Sequence, residues 1–261
     1  MLESLPLERI DVAGVNAERV KMGSGRPLLY LHDGGGIEFG AGFIERLAQG
    51  HEVHALSHPG FGGSDLPGHF DSVDDLAFFY LDYIEQEGLE DVILVGAQFG
   101  GWIAAEIATM GSARIGQVVL IDAYGIKVGS RDKQDVADIF YLLPEVIAEM
   151  GWHKPRPGTK APTIEGARRI ARNRESHSLY GWSPLLHNPK LVHRLHRIKA
   201  PTLVLWGESD RLAPVEYGRA YAERIRGARF ELIKEAGALP HVEQTEATAR
   251  AIEAFLTPVA A

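Results

Sequence analysis

The residues that bear on chemistry sit where a strand becomes a helix. Asp91 to Met110 reads DVILVGAQFGGWIAAEIATM. A β-forming run, Val92–Val95, ends at Gly96, and a helical pattern opens at Gly100. Between them lies Gly96-Ala97-Gln98-Phe99-Gly100, the G-x-x-x-G spacing of a sharp turn that lifts its central side chain above the end of a sheet. A serine there would be a nucleophile. Gln98 is an amide, able to donate and accept hydrogen bonds but not to become an alkoxide. Further candidates follow other apolar runs. His32-Asp33-Gly34-Gly35-Gly36 can bring backbone N–H groups close to a ligand, Asp122-Ala123-Tyr124 ends another run, and Asp210 follows a third.

These groups must be positioned by elements that alternate along the chain. Strands are expected at Glu8–Val12, Ala17–Met22, Pro27–Leu31, Glu52–Ser57, Val92–Val95, Ile115–Ile121, Thr202–Trp206 and Arg229–Ile233. Helices are expected at Phe43–Ala48, after Ser72, at Trp102–Met110, at Val215–Ile225 and at Val242–Leu256. Asp75, three residues after Ser72, approximates a capping box. The alternation predicts an α/β fold with a mostly parallel sheet covered on both faces, and ligands at the carboxyl ends of its strands. It stops after Ala123. From Tyr124 to Arg197 the chain is richer in charge, proline and histidine, with a turn cluster at Pro155-Arg156-Pro157-Gly158. Short helices, including Thr163–Arg174 and Pro189–Arg197, suit an inserted lid. The expected organisation is a core of 1–123 and 198–261 and a helical lid of 124–197.

Composition narrows the function classes. The chain has 261 residues, a formal net charge of −8 and no cysteine. That acidity argues against nucleic acid or an anionic membrane as partner. Without cysteine there is no thiolate nucleophile, disulfide or zinc–thiolate site. No secretory signal or membrane span is evident, so a cytoplasmic location is expected. Neither a Walker lysine nor a G-x-G-x-x-G pattern accompanies Gly34–Gly36, and no cofactor is expected. His193 and His196 fall within HRLHRIK, which reads as a solvated basic face rather than a metal site. Oligomeric state is not legible.

Taken together, LLYLHDGGG, HPGFGGSD, LVGAQFGGWIAAEIA, PTLVLWGESDRLAP and EAGALPHVEQTEATARAIEAFL resemble the α/β-hydrolase superfamily over nearly the whole chain. The resemblance implies a lid-bearing α/β-hydrolase fold and an ancestral activity on small esters, lactones or C–C bonds beside a carbonyl. Asp210 matches the triad acid, and Gly34 and Phe99 match the backbone oxyanion donors. Gln98 stands at the nucleophile position and Ala238 at the histidine position, so two of three triad roles are vacant.

Conventional serine hydrolysis is therefore expected to be absent or marginal. Loss of such a unit costs about 10⁶ in turnover. A pocket for a small hydrophobic carbonyl compound would remain. A different chemistry is also conceivable, with a desolvated Asp33 of raised pKa as general base and Gln98 as hydrogen-bond donor, in proton transfer, elimination or lysis. The alternative for Asp33 is a bond within its own turn or solvent exposure. A third reading has His241 rescue hydrolysis after a loop shift, against simple packing beside the last helix. His32 is expected to brace the glycine loop, and Tyr124 to pack at the pocket.

Overall fold

Apolar side chains pointing alternately to either face of the central strands let one sheet carry two cores. The structure, a computed structural model, describes residues 5–130, 132–154 and 161–257. Its strands are β1 (Leu7–Val12), β2 (Val15–Met22), β3 (Pro27–Leu31), β4 (Glu52–Leu56), β5 (Val92–Ala97), β6 (Ile115–Ile121), β7 (Thr202–Gly207) and β8 (Arg229–Ile233). They form a single sheet in the order β1-β2-β4-β3-β5-β6-β7-β8. β2 pairs antiparallel with β1 and β4, and every other pairing is parallel.

Helices cover both faces, the arrangement expected from the alternation. On one side, Leu29, Leu94, Leu120 and Val204 pack with α2 (Val73–Gln86), α3 (Phe99–Met110) and α6 (Val215–Arg224). On the other, Leu28, Ile93, Val119 and Leu203 pack with α1 (Ala41–Leu47) and α8 (Thr245–Leu256). Continuous apolar runs mark strands buried on both faces. Ser72 and Asp75 form a complete capping box at the start of α2.

Several expected elements differ. The last helix is split into α7 (Pro240–Glu243) and α8, with Gln244 between them at φ −132° and ψ 51°, outside helical geometry. The helix after the sharp turn begins at Phe99, not Trp102. Pro189–Arg197 is two 3-10 turns, Leu191–His193 and Leu195–Arg197, rather than one α-helix.

Between β6 and β7 lie α4 (Pro144–Gly151), α5 (Ile164–Gly181) and these turns. α5 runs well past the expected Arg174. The turn cluster at 155–158 falls outside the described residues. No helix among the described residues is long and apolar enough to cross a membrane.

The sharp turn depends on two close backbone approaches. A Cβ on Gly96 would sit 2.3 Å from the Gly100 carbonyl oxygen, and one on Gly100 would sit 2.1 Å from that of Leu31. Both gaps are far below van der Waals contact, so β5, α3 and the end of β3 can meet only through hydrogen atoms. Gly100→Ala should push α3 away from β3 and lower stability by about 1–3 kcal/mol or more. A urea midpoint unchanged from the parent would show that the contact is not structural.

Candidate functional site

Gln98 sits at the end of β5 with φ 47° and ψ −106°, a backbone conformation that costs a non-glycine residue about 1–3 kcal/mol. Its main chain is tied down on both sides. Gln98 N–H donates to Ile121 O at 2.8 Å, and Gln98 O accepts from Trp102 N and Tyr124 N, both at 3.1 Å. The side chain is held as well: Nε2 donates to the Ala238 carbonyl at 2.9 Å. A carbonyl can only accept, so this contact sets the orientation of the amide. Ala238 N–H in turn donates to Gly151 O at 2.8 Å, joining the turn, the loop before α7 and the last residue of α4. Among the described residues, Gly34 N–H and Phe99 N–H donate to no protein acceptor.

Asp33 is the second centre. The residue is 2 % exposed. Oδ1 accepts from Gly35 N–H at 2.6 Å, and Oδ2 lies 3.1 Å from His241 Nε2. Burial alone would raise this carboxyl. The bonds from His241 and Gly35, with attraction to His241 and His32, outweigh it and hold the group below its ordinary value. This corrects the expectation of a raised Asp33. The acid neither points to solvent nor relies on its own turn alone.

His241 is fully buried beneath the glycine loop, with Nε2 directed at Asp33 and Nδ1 without a partner among the described residues. Gln98 is bonded elsewhere, so His241 does not fill the vacant role beside it. Asp33 and His241 are separated by 208 positions in sequence, which hid the pair.

His32 is bonded through both ring nitrogens. Nε2 accepts from His58 N–H at 3.1 Å, which leaves Nδ1–H to donate to Asp33 O at 2.5 Å. Its ring stacks on that of His58 with centroids 3.6 Å apart. Burial keeps both imidazoles below their ordinary pKa.

Asp210 faces a different partner from the one the resemblance implies. Oδ1 accepts from Leu212 N–H at 2.8 Å and Ala213 N–H at 3.1 Å, while among the described residues no N–H donor reaches Oδ2. Asp122, at the end of β6, accepts from Gly207 N–H at 3.0 Å. Burial and the charge of Asp210 push Asp122 well above the carboxylate range, and burial pushes Asp210 up to about 7. The two carboxyls are close enough to hydrogen-bond, and one proton shared between them relieves their repulsion. Asp210 therefore finds another acid where the family's pattern has an imidazole.

Asp33, Gly34, Gln98 and Tyr124 line one cavity of about 460 Å³. Its remaining wall is mostly apolar and comes largely from the stretch between β6 and β7, including Phe140, Ile147 and Trp152. Leu212 and Leu239 close it from the core. Asp210, Ala238 and His241 are buried next to this cavity rather than on its surface.

The sequence reading missed His177. It lies on a polar stripe of α5 that docks onto the glycine-rich loops. Asn173 donates to Gly35 O and accepts from Gly62 N–H, both at 2.8 Å. Arg172 and Ser176 donate to Gly60 O at 2.8 and 2.7 Å. Asn173, Ser176, His177 and Tyr180 recur at three- and four-residue spacing, so the buried face of this helix is its polar face. That inverted pattern was the available signal.

His177 packs so closely on the loop that a Cβ on Gly34 would lie 2.2 Å from its Nδ1. Phe99 and Phe140 flank the ring at centroid distances of 4.7 and 5.2 Å. Burial lowers its pKa to about 4, against a smaller upward pull from Asp33.

A histidine whose folded pKa is depressed contributes stability that is complete above its unfolded value of 6.5 and lost as pH falls towards about 4. The difference corresponds to about 3 kcal/mol. The Asp122–Asp210 pair, raised in the fold, acts in the opposite sense, so the histidine must be isolated by substitution. Between about pH 7 and pH 4, the stability advantage of the parent over His177→Gln should shrink by about 3 kcal/mol in urea unfolding. Parallel pH profiles for the two proteins would contradict this.

Comparison with known proteins agrees with this fold. Residues 28–251 match the family model described as "Alpha/beta hydrolase family". A poly(3-hydroxyalkanoate) depolymerase of Ectopseudomonas oleovorans is 29% identical over 258 residues, covering 88% of this chain and 84% of the depolymerase. A 2-hydroxy-6-oxo-6-(2'-aminophenyl)hexa-2,4-dienoic acid hydrolase of Metapseudomonas resinovorans is 24% identical over 98% of this chain and 92% of its own. Among solved structures, a membrane phospholipase A described as a bacterial virulence factor superposes with a TM-score of 0.82 at 25% identity, covering 98% of this chain and 86% of that one.

Proposed function

The chain belongs to the alpha/beta hydrolase family, and from that premise we propose that it binds a small, largely apolar carbonyl compound in the strand-end cavity without forming an acyl-enzyme. The observation that carries this reading is the bond from Gln98 Nε2 to the Ala238 carbonyl. It occupies the place where a hydroxyl and an imidazole would exchange a proton.

What such a ligand needs for binding is still present. The free amides of Gly34 and Phe99 suit a carbonyl oxygen, and the apolar wall suits the rest of the molecule. Residues 124–197 act as the lid, since α4 and α5 supply much of that wall. The depolymerase and the dienoic acid hydrolase are named for a polyester and an oxo acid, which fits a carbonyl ligand.

A second reading, cofactor-free proton transfer, elimination or lysis with Asp33 as base, has in its favour only the place of that carboxylate at the cavity wall, since His241 and Gly35 hold it below its ordinary value and so make it a weaker base. Hydrolysis rescued by His241 has no such support, because its Nε2 is engaged by Asp33.

The decisive comparison is between the parent and Gln98→Ser/Ala238→His, each treated with a fluorophosphonate probe and an activated aryl ester. Labelling and turnover are expected only in the double variant. A loss of about 10⁶ separates an intact triad from a vacant one. Labelling or burst kinetics in the parent would refute the reading.

A further inference from the structure

We propose that His177 is the base of this cavity, taking a proton from the carbon beside the carbonyl of a bound ketone. This rests on the cavity being a carbonyl-ligand site, and it deepens that reading by naming the substrate class, carbonyl compounds with an acidic α-hydrogen, and the group that acts on them.

The assignment comes from which polar atoms around the cavity are already engaged. Asp33 lines it, but Oδ1 is taken by Gly35 N–H and Oδ2 by His241. His32 has both ring nitrogens bonded, as does His58, whose Nδ1 meets the Tyr80 hydroxyl at 2.5 Å and Nε2 the His32 carbonyl at 2.9 Å. His241 is not on the cavity surface.

Of these four imidazoles only His177 lines the cavity, and among the described residues its Nε2 is enclosed without a partner and its Nδ1 makes no hydrogen bond. Its side chain belongs to a residue only 6% exposed. Nδ1 packs against Gly34, itself part of the cavity wall, and with the ring proton on the enclosed Nε2 the Nδ1 lone pair is the one at that wall. Phe99 and Phe140 hold the ring there, and α5 is anchored to the glycine loop by Asn173.

The step balances without a co-reactant. The α C–H bond breaks and its proton moves to Nδ1 of His177. The electron pair forms the enolate carbon–carbon double bond, and the carbonyl π pair moves to oxygen. That oxygen is held by the free N–H groups of Gly34 and Phe99. Reversal returns a proton, or in D₂O a deuteron, to the carbon.

Phenylacetone in D₂O is a direct probe, with binding followed by ligand-observed NMR and exchange by loss of its α-proton signals. The parent should bind the ketone and exchange it faster than buffer. His177→Gln should bind but exchange about a hundredfold more slowly. Free imidazole should restore exchange to His177→Gly, which a purely structural role would not produce. Where His177→Gln fails to bind, that rescue decides the matter.

Binding without exchange in the parent would overturn this inference and leave the carbonyl-ligand reading standing. Absence of binding would overturn both. Full exchange in His177→Gln, or a loss confined to Asp33→Asn, would overturn the role of His177.

Discussion

The site turns on one hydrogen bond, from the Gln98 side-chain amide to the backbone carbonyl of Ala238. It spans the gap between a strained turn and the loop that leads into α7. The Ala238 N–H continues the connection to the end of α4 through Gly151. In a triad this gap is a place for proton transfer. Here it is bridged by an amide and a carbonyl, neither of which acts as an acid or a base near neutral pH. Replacing the amide alone would leave the enclosed Ala238 carbonyl without its donor, a penalty of about 1–3 kcal/mol. Gln98 is thus a structural tie as well as a missing nucleophile.

Around that tie the ionisable groups have sorted themselves into pairs. Asp33 is held charged by His241 and Gly35, whereas Asp122 and Asp210 share a proton. His32 and His58 are neutral and fully bonded. These groups brace the loops at the ends of β3, β4, β6 and β7. His177 is the exception. Its imidazole comes from α5, outside the strand-end loops, and reaches the cavity with its nitrogens uncommitted among the described residues.

Much of the fold was legible because burial on both faces forces continuous apolar runs. Pro27–Leu31 and Ile115–Ile121 are strands with the bounds their composition implies. The strained turn was legible from Gly96 and Gly100, since only glycine fits against the carbonyls they face. Pro189–Arg197 misled, because its helical spacing is realised as two short 3-10 turns.

The site was legible only in part. Gln98, Asp33 and Gly34 fall on strand-end loops, and topology brings them to one cavity. The pairing of Asp33 with His241 is a contact between distant segments, and no local pattern encodes it. The Asp122–Asp210 pair depends on the register of β6 against β7. His177 was hidden by polarity: a helix rich in Arg, Asn and Ser reads as solvent-facing unless its polar stripe is matched to backbone carbonyls elsewhere in the fold.

The tie itself can be measured. Hydrogen exchange of the Gln98 side-chain amide, followed by NMR on the native protein, reports directly on its bond to Ala238. Strong protection, with the two amide protons at well-separated shifts, is the expected result. Exchange as fast as that of a solvent-exposed glutamine would mean that the amide is free in the cavity, and the account of a closed, non-nucleophilic turn would fail.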